Sequence, residues 1–388
     1  PCDRVSVGEE SFEGDDIPSY EPPAASQLGW LVPWGSQAAG RFLAAAQRSG
    51  LSVQGADEVM TLANRRYDRG TLVVRLADNP DYDARELHRM VSRLAQVSGA
   101  EVVATDSGYS EEGVSFGSRS VMALPAPRIA LAWDDPTVSY SAGSTRFVLE
   151  QQFAYPVEPV RVEHVASDEL DRFDVLILPD GGNYAGELGS RGVERLKNWV
   201  ERGGVLVAMS GGMRFASSDE VGLLPTDLEL LAGGKEEEDK EGDIVGGTIL
   251  EDQDAYQQAI MPEAPRPDSL PGVLLRTRTT QDTWLSAGVR DGVAFMVEGR
   301  DVYRPLTLDE GWNALYFEAS GNLGAGGHLW AENRQQWAFK PAVVQASFGD
   351  GLVIGFVADP TFRAALDGAN IVFLNAVLRG PAHTARVR

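Results

Sequence analysis

The sequence predicts an α/β protein: a small N-terminal α/β domain, then a larger parallel-sheet domain that carries an antiparallel extension. Two observations lead there. Within Asp174 to Phe215, two apolar runs, Val175 to Leu178 and Val205 to Met209, each break at a glycine-rich turn. Between them Val193, Leu196, Trp199 and Val200 recur at helical spacing, and Gly203-Gly204 ends the helix. Strand, helix and strand in close succession form a βαβ unit, whose parallel strands are covered on both faces. The second observation lies after residue 271. Val273–Thr279, Val293–Val297 and Ala314–Glu318 are short alternating runs, the pattern of antiparallel strands.

Taken in order, residues 1–27 hold acidic residues, Ser, Gly and prolines that include Pro18, Pro22 and Pro23, with few aliphatics, and read as a tail or linker. The small domain is placed at 28–125. Leu28 to Val32 is its first strand, and a helix follows from Gln37 with Ala38, Ala39, Phe42, Leu43 and Ala46 inward. Thr71 to Leu76 is a strand, and Asp83 to Ser98 a helix burying Leu87, Met90, Val91, Leu94 and Val97, with Gly99 as its stop. Glu101 to Thr105 returns as a strand, and the domain closes near Pro125.

The larger domain is placed at 126–388. Arg128 to Trp133 is a strand that ends in Asp134-Asp135-Pro136. A helix is expected over Gly143 to Phe153 and a strand over Val160 to His164, before the βαβ unit. From about 217 to 271 the pattern dissolves into the charge runs Lys235 to Asp243 and Glu251 to Asp254 and a series of prolines, a solvated insertion. Ala342–Phe348 and Leu352–Val357 flank Gly349-Asp350-Gly351, a hairpin. A last helix runs from Leu366 to Leu378.

Composition excludes several classes of function. Lys plus Arg number 34 against 57 for Asp plus Glu, a net charge of −23. So acidic a surface repels phosphate backbones, which argues against nucleic-acid binding, and suits a solvated protein from a salty or extracellular setting. No apolar run reaches the roughly 20 residues that span a bilayer. Cys2 is the single cysteine, so no intrachain disulfide forms. The chain opens Pro1-Cys2-Asp3 without a leader, from which a removed signal or a longer parent protein is expected.

The glycine-rich turns after both strands of the βαβ unit resemble the class I glutamine amidotransferase-like, flavodoxin-like fold. More narrowly, five strings resemble the carboxy-terminal region of bacterial zinc carboxypeptidase-like proteins of the carboxypeptidase A superfamily. They are Trp133-Asp-Asp-Pro-Thr137, Ser141-Ala-Gly-Ser-Thr-Arg-Phe-Val-Leu-Glu150, Leu178-Pro-Asp-Gly-Gly182, Trp330-Ala-Glu-Asn-Arg334, and Asp359-Pro-Thr-Phe-Arg363 with Phe373-Leu-Asn375. The similarity covers roughly Leu28 to Ala382. It implies a secreted or periplasmic protein whose N-terminal peptidase domain binds zinc through a His-x-x-Glu pair. That pair is absent here: Val91, Ser167 and Ala331 stand three residues after His88, His164 and His328, and His383 sits in the tail. The implied role is a non-catalytic accessory region packed on the peptidase domain, with zinc expected only in that domain and none in this chain. A homo-oligomer is compatible with the sequence.

Ser210 stands where the amidotransferase-like pattern places a nucleophilic cysteine, on a strand-to-helix turn with small neighbours Ala208 and Gly212. Backbone N–H groups of Gly211 and of Gly181-Gly182 are candidate oxyanion donors. A serine also needs a base, and Asp359 occupies the place of the family's histidine. His328, in a glycine-rich loop, is the weak alternative, and the relict turn is the favoured reading over a free-standing hydrolase. Asp134, Asp135, Asp180 and Asp359 all follow strands and are candidates to converge on one rim with Gly181, Gly182, Ser210 and Gly211. There they would bind a divalent cation or a cationic group, while Trp312, Trp330 and Trp337 are candidates to line a sugar site. Aspartate also favours strand-ending turns, which is the plainer account.

Overall fold

The computed structural model describes residues 21–230, 249, 251–253, 266–280 and 283–385. The expected acidic run at Lys235 to Asp243 and most of the 1–27 segment lie outside the described residues.

The first elements are β1 (Gly29–Val32), α1 (Gln37–Arg48), β2 (Gln54–Ala56), β3 (Met60–Leu62), β4 (Arg65–Tyr67), β5 (Leu72–Arg75), α2 (Ala84–Ser98), β6 (Val103–Thr105), β7 (Glu112–Gly113) and β8 (Val121–Ala123). Five of these strands pair antiparallel in the order β6-β1-β5-β2-β8, and β4-β3-β7 form a small separate sheet. The two-residue period of the strands sorts their side chains. Trp30, Val32, Leu72 and Val74 face the main core with Phe42 and Leu87, whereas Leu31 and Val73 face a second cluster with Met60 and Phe116. A capping box between Asp83 and Glu86 starts α2, and Gly99 at φ 74° closes it. Val97, expected inward, is exposed. The buried stripe is Leu87, Val91, Leu94, Ala95 and Ser98, and Val97 lies about 100° around the helix from Ser98.

The larger part comprises β9 (Ile129–Trp133), α3 (Ser139–Phe147, running on as a π-helical turn), β10 (Glu158–Arg161), α4 (Val162–Val165), β11 (Val175–Leu178), α5 (Tyr184–Glu201), β12 (Val205–Met209) and α6 (Gly211–Ser217). It continues through β13 (Leu270–Thr279), β14 (Ala294–Gly299), β15 (Trp312–Phe317), β16 (Gly324–Gly326), α7 (Ala331–Trp337), β17 (Pro341–Phe348), β18 (Gly351–Phe356) and α8 (Asp367–Leu374). The main sheet has the order β10-β9-β11-β12-β18-β17-β15-β13-β14. Its first five strands are parallel and the rest antiparallel, as the α/β reading with an antiparallel extension expects.

The strand order turns back between β9 and β11, one strand away from Ser210, because β10 crosses to the far side of β9. Two expectations are corrected. The helix after β9 begins at Ser139, four residues before the expected Gly143. The expected strand to His164 ends at Arg161, and His164 sits in α4. The main core is continuous from Trp30 and Phe42 through β9, β11, β12 and β18 to α8. Among the described residues no helix is long and apolar enough to cross a membrane.

Candidate functional site

The carboxyl ends of β9, β11, β12 and β18 meet above the sheet, where open parallel sheets place their ligands. Ser210 ends β12 with φ 47° and ψ −111°, a backbone region that L-residues rarely occupy. Its N–H donates to the Phe356 carbonyl at 2.8 Å, and its carbonyl accepts the Arg214 N–H at 3.0 Å, which starts α6. The turn needs glycine on its helical side. A methyl on Gly211 would overlap the Gly181 carbonyl oxygen, and one on Gly212 would press on the Leu178 carbonyl. Gly211 therefore packs against Gly181, and Ser210 and Gly181 lie at the same end of the sheet.

Two of the three candidate oxyanion donors are already engaged. The Gly211 N–H donates to Asp180 Oδ1 at 2.9 Å, and the Gly182 N–H to the Pro136 carbonyl at 3.0 Å. An anion forming at Ser210 would meet a resident carboxylate where catalysis needs free donors. The amides of Gly211 and Gly182 are therefore not open oxyanion donors.

Asp180 and Asp359 share one network. The Asp180 N–H donates to Ser141 Oγ at 3.1 Å, and Ser141 Oγ donates to Asp359 Oδ2 at 2.6 Å. Asp359 Oδ1 accepts from both the Thr361 N–H, at 2.7 Å, and Thr361 Oγ1, at 2.6 Å. Burial pushes the Asp359 carboxyl above its ordinary range, against the pull of the Ser141 and Thr361 hydrogen bonds. The network ties the start of α3 to the ends of β11 and β18.

A cleft of about 650 Å³ opens over Ser210, Asp180 and Asp359. Its other walls carry Tyr140, Arg214 and Glu298. Arg214 Nε donates to Asp301 Oδ2 at 2.8 Å, and this pairing raises the guanidinium pKa despite partial burial. Tyr140 is half exposed, and burial followed by the charges of Asp180, Glu298 and Asp359 raises its phenol pKa. The sequence reading missed these wall residues. Arg214 carried a usable signal, since it lies one helical turn after Ser210. Glu298 and Asp301 come from the antiparallel extension, and no local spacing connects them to the elbow.

Of the four aspartates, only Asp180 and Asp359 converge. Asp134 is exposed at φ 72°, its carboxylate accepting the Val162 N–H at 3.4 Å beside Arg161, and Asp135 is also exposed. Both lie off the cleft and act as turn residues at the end of β9. No histidine lines the cleft. His328 packs edge-on against Trp330, His164 lies between Glu163 and Glu169, His88 stacks on Trp30, and His383 is buried against Asp57. Trp337 is buried whereas Trp312 and Trp330 are exposed, and none of the three reaches the cleft. Among the described residues no group of three His, Cys, Asp or Glu side chains is placed to hold a metal ion.

No family model matches this chain, and no curated protein matches its sequence. Solved structures similar to it include a cytoplasmic protein of Salmonella typhimurium LT2, at 12% identity and TM-score 0.38, covering 65% of this chain and 99% of that one. A ThuA-like protein from Parabacteroides merdae is 11% identical with TM-score 0.42, covering 66% of this chain and 89% of that one. A glutamine amidotransferase from Thermotoga maritima is 6% identical with TM-score 0.37, covering 61% of this chain and 76% of that one.

Proposed function

We propose that this chain is a non-catalytic accessory region whose degenerate amidotransferase-like elbow forms one wall of a binding cleft. The observation that carries the reading is the Gly211 N–H engaged on Asp180. An acyl-transfer site needs that donor free and the surroundings positive, whereas here it is closed by a carboxylate. The lack of any histidine on the cleft supports the same reading, because serine is a poor nucleophile without a base.

In the wider proposal the chain belongs to a secreted zinc carboxypeptidase-like protein and packs on its N-terminal peptidase domain, which supplies zinc and proteolysis. The five sequence strings quoted above support that assignment. A fluorophosphonate probe tests the local part, and Ser210 is expected to stay unlabelled. Stoichiometric labelling, lost on Ser210→Ala, would overturn the reading in favour of a serine hydrolase.

A second reading, a small-ligand module for cationic groups, is supported by the half-exposed Tyr140 ring beside Asp180 and Glu298. Calorimetric titration with spermidine tests it. Binding weakened by Tyr140→Ala is expected, and equal binding by both proteins would remove the reading.

A further inference from the structure

A second concavity, about 570 Å³, lies at the junction of the N-terminal sheets and the antiparallel extension, away from the Ser210 cleft. Its walls come from both parts: Trp34, Arg66 and Asp68 from one, Thr279, Gly288 and Arg290 from the other. Sites for small ligands favour such junctions. The charge here is opposite in sign to that of the chain as a whole, which carries −23.

Asp68 is the single acid in this lining, and two guanidinium groups share it. Arg290 donates to Asp68 Oδ2 through Nε at 3.1 Å and Nη2 at 2.6 Å, while Arg66 donates to Oδ1 through Nε at 3.2 Å. One carboxylate between two arginines leaves a net positive charge. It also leaves donors over. Arg290 Nη1 and both Nη groups of Arg66 meet no acceptor among the described residues. A guanidinium presents its donors in a fixed planar fork that matches two oxygens of a tetrahedral anion.

The surroundings hold these groups in place. Thr279 Oγ1 donates to the Arg290 carbonyl at 3.1 Å, anchoring the arginine backbone to β13. The Trp34 indole is fixed by its N–H on Asn375 Oδ1 at 2.9 Å, and Asn375 in turn holds the Leu285 and Ala287 carbonyls. The apolar wall and the cationic wall therefore belong to one scaffold. The volume exceeds that of a bare oxyanion, which leaves room for the group that carries it.

We propose that this junction pocket binds a small molecule bearing a tetrahedral oxyanion, a phosphate or sulfate ester, through Arg66 and Arg290, with Trp34 against its carbon skeleton. The ester bridges the two parts of the chain and competes with Asp68 for the same two arginines.

Calorimetric titration of the full chain at low ionic strength tests this, with ribose 5-phosphate, galactose 6-sulfate, inorganic phosphate and inorganic sulfate as probes. Saturable binding of one ester per chain is expected, and the stronger of the two ester arms identifies the source of the oxyanion. Arg66→Gln and Arg290→Gln are each expected to weaken it by about tenfold, since each removes a charge-assisted donor pair. Asp68→Asn, which removes the competing carboxylate, is expected to tighten binding several-fold. Arg172→Gln, at an exposed pair elsewhere, serves as the control and should change nothing. Circular dichroism confirms that each variant is folded, which the exposure of both arginines favours. Failure of all four probes to bind, or binding unaltered in the arginine variants, would overturn the proposal. So would weaker binding by a folded Asp68→Asn.

Discussion

The imidazole of His383 lies flat on the indole of Trp284, with ring centroids 4.0 Å apart and planes 11° from parallel. The stack closes one side of a buried polar network. His383 Nε2 meets Asp57 Oδ2 at 2.8 Å, and Arg379, fully buried, donates to Asp57 Oδ1 at 3.0 Å and to the Gly70 carbonyl at 2.9 Å. The C-terminal segment is thereby bonded to the turn after β2. Asp57→Asn leaves a buried guanidinium uncompensated, so a loss of about 3 kcal/mol is expected in urea unfolding.

The same aspartate sets an acid limit. Burial alone would raise its pKa, but the His383 hydrogen bond and the Arg379 charge outweigh burial and hold it below the usual 3.8. A carboxyl with a depressed folded pKa adds stability above its unfolded value and loses it as pH falls through the folded one. Unfolding free energy should therefore drop below about pH 4, and Asp57→Asn should flatten that part of the profile.

Asp359 works with the opposite sign. Its carboxyl is pushed up by burial, so between the unfolded and the folded pKa the native state binds more of that proton than the unfolded chain does. Its contribution is fully present at low pH and is lost as pH rises from about 4 through the raised value. In Asp359→Asn this decline should vanish, which denaturant titrations between pH 4 and pH 8 would register.

Ser210 carries backbone strain that glycine would release. Residues held in such sparsely populated conformations cost about 1–3 kcal/mol, and the entropic penalty of a glycine is about 0.5–1 kcal/mol. Ser210→Gly should therefore unfold at a higher temperature than the parent, whereas Ser210→Ala should not. A lower melting temperature for Ser210→Gly would show that the turn is not strained.

Gly211 admits no side chain. Its added methyl would fall on the Gly181 carbonyl oxygen, with the Gly181 nitrogen and Asp180 Oδ1 also within 3 Å. Gly211→Ala should lose at least about 2 kcal/mol in denaturant unfolding, at the upper end of overpacking costs. Gly182→Ala, with open space around its position, should stay near the parent.

Elements whose burial pattern is complete within a few residues were readable from sequence. Val175–Leu178 and Val205–Met209 are the strands expected, because an uninterrupted apolar run bounded by glycine has few other uses. The strained turn at Ser210 was readable for the same reason. The cleft was not, because its walls come from α3, α6 and β14, and only the tertiary fold brings them together. His164 was placed on a strand because Val160 to His164 alternates, yet Val162 and Val165 turn the chain into a helix that packs on α5. Engagement of the Gly211 amide by Asp180 depends on register between β11 and β12, which residue types alone do not specify.

The placement of β18 in the sheet has a consequence for how the chain acquires its shape. Val205 pairs with Leu352, so β12 stays an open edge until the last strand of the chain arrives. During synthesis the ribosome delivers the parallel strands β9 to β12 first and the antiparallel strands β13 to β17 after them, and the two sets share no strand pairing until β18 lies between them. Only the β17–β18 hairpin, formed locally, carries both kinds of pairing and welds the halves together. Folding is thus governed by long-range closure and is slow relative to proteins of local topology. A nascent chain stalled before β18 exposes an apolar strand edge, the kind of surface that chaperones exist to shield.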